Sequence, residues 1–65
     1  MNSPSPLRTF VWVEELAEEL DVPLRTLRHW RRVGKGPKAF LIGRRLAYDR
    51  TDVRKWLDRQ REQAS

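Results

Sequence analysis

The sequence predicts a small, mainly α domain with one β-hairpin. Three observations lead there. Apolar residues recur at helical spacing across residues 13 to 33, and Asp21-Val22-Pro23 interrupts them, which gives two short helices. Phe40 and Ile42 alternate on one side of Gly43-Arg44-Arg45 and Leu46 and Tyr48 on the other, which is the pattern of a hairpin. Val53, Trp56 and Leu57 then follow Asp49 at the spacing of a third helix. With 65 residues there is room for one domain. A chain of this size buries only about 60% of the surface its unfolded form exposes, so its core is marginal.

In chain order, residues 1 to 8 (MNSPSPLR) have little to bury and are expected to form a disordered tail. The folded domain is expected over residues 9 to 60, with a frayed end over 61 to 65. Thr9 to Trp12 is a short apolar lead-in, expected to pack on the core in extended form. The first helix spans about Val13 to Leu20, with Val13, Leu16, Ala17 and Leu20 on one stripe. Trp12 sits at its cap position, where Ser, Thr or Asp is usual, so its ring is expected to pack rather than cap. Asp21 is a candidate cap for the second helix, and Pro23 suits a first helical position. That helix is expected over Pro23 to Val33, with Leu27, Trp30 and Val33 as its buried side and Gly34 as its stop. GKGPK (34 to 38) is a loop. In the hairpin, a three-residue turn over Gly43-Arg44-Arg45 sets Ile42 opposite Leu46 and Phe40 opposite Tyr48, so the apolar phase favours it over a two-residue turn. Asp49 is the expected cap of the third helix, with Val53, Trp56, Leu57 and Gln60 as its buried stripe.

Composition narrows the chemistry. There is no cysteine, which excludes disulfides and thiolate metal sites, and with a single histidine no Cys/His or Ser/His/Asp catalytic set is plausible. GKGP lacks the pattern of a phosphate-binding P-loop. An enzyme is not expected, nor a metal, a cofactor or a small-molecule substrate. No basic start followed by an apolar run opens the chain, and no apolar run approaches the roughly 18 residues of a membrane span. A cytoplasmic location without membrane attachment is expected.

Charge is more informative. The net charge is +5, and its distribution is uneven. Residues 13 to 21 carry Glu14, Glu15, Glu18, Glu19 and Asp21 and no base, a charge of −5. Residues 22 to 50 carry nine Lys/Arg and one Asp, a charge of +8. Such asymmetry implies one binding side for an acidic partner. On the second helix Arg25, Arg28, His29 and Arg32 fall within an arc of about 100°, opposite the apolar side, and Arg31 lies at the boundary. Arg28 and Arg32 repel each other as an i,i+4 pair, a cost that an external anion offsets. Lys35, Lys38, Arg44 and Arg45 extend the positive surface onto the loop and hairpin. Arginines at a hairpin tip suit a phosphate backbone or a minor groove. The four glutamates read either as a solvated face or as a patch that docks the basic surface of a second copy, head to tail.

The run LRTLRHWRRVGKGPKAFLIGRRLAYDRTDVRKWL, with Ala17 before it and the tight turn at Asp21, resembles the small winged helix-turn-helix proteins of the excisionase family, relatives of the MerR DNA-binding domain. Many members carry Gly where this chain has Asp21. The resemblance implies a helix-turn-helix, a two-stranded wing and a C-terminal helix. It implies a recombination directionality factor that binds and bends double-stranded DNA at tandem phage or plasmid attachment sites in a bacterial host, cooperatively, and turns a tyrosine or serine integrase toward excision. The expected contacts are Leu24, Arg25, Thr26, Arg28, His29 and Arg32 on the recognition helix, and Lys35, Lys38, Arg44 and Arg45 on the wing and its flanks. The short chain fits this role better than that of a MerR regulator, which carries a long dimerisation helix and an effector domain. A small transcriptional regulator of the MerR or AlpA kind is the alternative. A protein-interaction module without DNA binding is a more distant one.

Overall fold

The computed structural model describes residues 9–64; the tail expected over 1 to 8, and Ser65, lie outside the described residues. The order is β1 (Phe10–Trp12), α1 (Val13–Leu20), α2 (Leu24–Arg32), β2 (Ala39–Ile42), β3 (Arg45–Asp49) and α3 (Arg50–Ala64). This is a winged helix-turn-helix: α1 and α2 joined by a tight turn, the β2–β3 hairpin as wing, and α3. The lead-in does more than pack on the core. As β1 it adds a third, antiparallel strand, and the sheet order is β1-β3-β2. The expected two-stranded wing is therefore part of a three-stranded sheet with β3 at its centre.

One face of the sheet closes the core. Val11, Leu46 and Tyr48 meet Val13, Leu16 and Ala17 of α1, Leu27 of α2 and Val53 of α3, all buried. Leu20, Val22, Leu24 and Trp30 pack around this centre. Trp30 and Trp56, with ring centroids 5.7 Å apart, join α2 to α3.

Both helices of the pair end in the same way. In α1, Asp21 N–H donates to the Glu18 carbonyl (3.2 Å) and Val22 N–H to that of Ala17 (2.9 Å). In α2, Gly34 N–H donates to Arg31 (3.4 Å) and Lys35 N–H to Trp30 (2.7 Å). Each is a Schellman motif, whose pivotal residue must be left-handed. Gly34 supplies φ 77° freely, and Asp21 takes φ 55°. Aspartate tolerates this conformation better than most side chains. Asp21 thus ends α1 and does not cap α2, as the sequence suggested. Pro23 precedes α2, and its carbonyl accepts from Thr26 N–H (2.9 Å) and Leu27 N–H (3.3 Å). Val33 lies just past α2 and is half exposed, because the helix stops before its side chain can turn inward.

At the start of α1 the Trp12 N–H donates to Glu15 Oε1 at 2.9 Å. The Trp12 side chain offers no acceptor for a cap. Its ring packs instead, edge to face with Phe10 at 5.0 Å. The α3 cap is as expected: Asp49 Oδ1 accepts from Thr51 N–H at 2.7 Å.

The hairpin register differs from the expected one. Ile42 pairs with Arg45, Leu41 with Leu46, Phe40 with Ala47 and Ala39 with Tyr48. The turn is the two-residue Gly43-Arg44, with positive φ at Gly43 alone (63°), as in a type II′ turn. Arg45 therefore belongs to β3 and not to the tip. Phe40 and Ile42 join Trp12 and Ala47 on the face away from the core and remain about 40% exposed. Two stripe assignments on α3 also change. Val53 is buried and Trp56 half-buried, whereas Leu57 and Gln60 are exposed, because the sheet covers only the first turns of a 15-residue helix. The helical backbone of α3 continues through Ala64, with no Gly or Pro to interrupt it.

Candidate nucleic-acid interface

The short turn at Asp21 holds α2 across α1 with Leu27 fully buried, which turns the opposite side of α2 to solvent. Arg25, Arg28, His29 and Arg32 are all exposed there, as their helical spacing requires. Together with Arg31 and Leu46 they line a cleft of about 390 Å³ between α2 and the wing. Leu24 and Thr26 are only half exposed, and Leu24 packs on the core, so the exposed face of α2 consists mainly of the four basic residues.

Arg44 projects from the wing tip and is exposed. Arg45 differs from it. Its guanidinium lies over the Trp12 ring, 4.0 Å from the centroid, and reaches Glu14 at 3.7 Å. The same Glu14 carboxylate is 3.9 Å from Arg28. One α1 glutamate thus sits between α2 and the wing. Glu19 accepts both guanidinium nitrogens of Arg50 at 3.1 and 3.0 Å, which raises the pKa of Arg50 and ties α3 to α1. Glu15 caps its own helix. Among the described residues, Glu18 is the one α1 glutamate without an ion pair or hydrogen bond.

Lys35 and Lys38 do not join the α2 cleft. They line a separate one of about 460 Å³, with Arg31 and Arg59. Tyr48 is buried in the core within the influence of Arg31 and Arg28. Burial pushes its phenol above the ordinary value, and Arg31 and Arg28 pull it part of the way back. Helical spacing places Arg31 at the boundary of the basic arc and does not by itself single out Arg59. Its signal was present: Arg59 follows Trp56 by three residues, hence on the same side of α3.

The model of the helix-turn-helix domain family matches residues 13–61. The chain belongs to the helix-turn-helix domain family. Such a domain is a DNA-binding unit whose second helix enters the major groove. In this helix-turn-helix protein that second helix is α2, which carries the exposed basic face. No curated protein and no solved structure matches the sequence. No helix among the described residues is long and apolar enough to cross a membrane.

Proposed function

We propose that this helix-turn-helix protein binds double-stranded DNA with α2 in the major groove and the wing on the adjacent backbone or minor groove, and acts as an excisionase beside a tyrosine or serine integrase. The observation that carries the DNA reading is the exposed set Arg25, Arg28, His29 and Arg32 on one face of α2, sharing a cleft with the wing residue Leu46. Leu24 and Thr26 border this set at the start of α2. Arginine fits guanine through two parallel hydrogen bonds, a pairing worth about 1–3 kcal/mol of discrimination. Arg44 is the wing contact, and Arg45 shapes the wing by its stacking on Trp12. The excisionase role rests on the family resemblance of the helix pair, the Gly-Arg tip and the Asp-Val-x-x-Trp-Leu helix. Cooperative binding to tandem sites, with bending, belongs to the same proposal, and the exposed Glu18 is its candidate contact between copies.

Gel shifts of Arg32→Ala and Arg61→Ala test the interface. Arg61 is an exposed cation outside both basic clefts. Arg32→Ala is expected to weaken specific binding and Arg61→Ala to leave it unchanged. Equal loss in both, or loss in neither, sinks the assignment of α2. An excision assay with the partner integrase then separates the roles. Recombination unaffected by this protein, with DNA binding intact, points to a transcriptional regulator.

A further inference from the structure

Four cations from three parts of the fold surround the 460 Å³ cleft: Arg31 at the end of α2, Lys35 and Lys38 in the following loop, and Arg59 on α3. Among the described residues, no acidic one lines it. Among the described residues none of the four is in an ion pair; the pairs that form use Arg28, Arg45 and Arg50. The cleft is built by packing. Gly36 lies against Trp30 so closely that a Cβ there would meet the ring at 3.0 Å, which presses the loop across the end of α2. Trp30 in turn stacks on Trp56, which brings the next turn of α3, with Arg59, beside the loop. Like charges held together by an apolar support, with no internal counter-charge, favour an anion. Arg31 also lines the α2 cleft, so the two basic surfaces are continuous.

We propose that Arg31, Lys35, Lys38 and Arg59 form a second phosphate site, which takes a DNA backbone phosphate beyond the α2 cleft and extends the footprint onto α3. It rests on the DNA-binding reading above. It adds affinity without sequence preference, because a phosphate carries no base identity.

The test is the salt dependence of binding to the specific duplex and to a random one, for the wild type, Arg59→Ala, Lys38→Ala and Arg61→Ala. Arg59 and Lys38 are exposed, so the fold tolerates their loss. Each pocket substitution is expected to lower the slope of log K against log salt by about 0.9, one phosphate contact. Both duplexes should weaken by the same factor, Arg59→Lys should restore the slope, and Arg61→Ala should match the wild type. A slope unchanged in Arg59→Ala overturns the DNA part of the proposal. Titration with inorganic pyrophosphate, followed at the Gly34 and Gly36 amide resonances, separates this from the parent reading. If the wild type binds no duplex even at low salt, the DNA reading fails. Amide shifts that vanish in Arg59→Ala then keep the cleft as a site for a free anion, and an absence of shifts in the wild type overturns it.

Discussion

Glu14 stands where α2 and the wing meet, 3.9 Å from Arg28 and 3.7 Å from Arg45. All three side chains are about half exposed, so each pair is worth at most about 1 kcal/mol. The effect is on position and local charge. The carboxylate draws the two guanidinium groups together and neutralises part of the surface proposed above to meet DNA. Glu14→Gln is therefore expected to change thermal stability little. Binding to random duplex should tighten and the ratio of specific to random affinity should fall, measured by competition gel shifts. A tighter complex with an unchanged ratio would mean that Glu14 acts only through charge. At this scale the sequence distinguished poorly between neighbours. Arg44 and Arg45 look like twins, yet one occupies the tip and the other stacks on Trp12. The difference follows from a one-residue choice of turn, which switches the face of every side chain in β2 relative to β3.

The elements were largely legible, because each has a strong local cause. The helical stripes, Gly34 as the end of α2 and Asp49 as the cap of α3 all act within one or two turns. The register was not legible, because apolar residues occupy both faces of the sheet. Leu46 is buried in the core and Leu41 shares its face of the sheet but stays half exposed, while Phe40 and Ile42 join Trp12 on the other side. The period-two pattern fits either phase once β1 supplies a partner for the outer face. The loop after α2 offers a test of packing over backbone. Gly34 and Gly36 have similar φ, 77° and 75°, so alanine at either position costs roughly 1–2 kcal/mol in strain. Only at Gly36 does the new Cβ press on Trp30, at 3.0 Å, whereas nothing lies within 4 Å at Gly34. Urea denaturation should thus give Gly36→Ala the lower midpoint. Equal midpoints would show that the loop yields to the ring contact without cost.

For the whole molecule, the core rests on a few side chains around Tyr48, Leu16 and Leu27, and a domain this small has little stability to spare. Tyr48 makes that stability sensitive to alkali. Its phenol is raised above the usual 10.0 by burial, so the unfolded chain loses the proton first. The stabilisation is complete below the unfolded value and is lost as pH rises through the higher folded one. Unfolding free energy is expected to fall above about pH 10, and Tyr48→Phe should flatten that fall when the two proteins are compared. A parallel decline in both would assign the loss to other groups. Tyr48 is the chain's one tyrosine, so ultraviolet titration of phenolate reads this group alone. The three-dimensional site was the part least visible beforehand. The basic face of α2 could be read from its spacing. The meeting of Arg59 with Lys35 and Lys38 depends on how α3 packs against α2, which no local pattern encodes.

The contact between Trp30 and Trp56 has an optical consequence. Two indoles 5.7 Å apart and tilted by 46° couple their electronic transitions. The circular dichroism spectrum therefore contains a contribution from the junction of α2 and α3 itself, distinct from that of the helical backbone. Separation of the two helices can be followed by this ultraviolet dichroism, without a label, even while every helix stays wound.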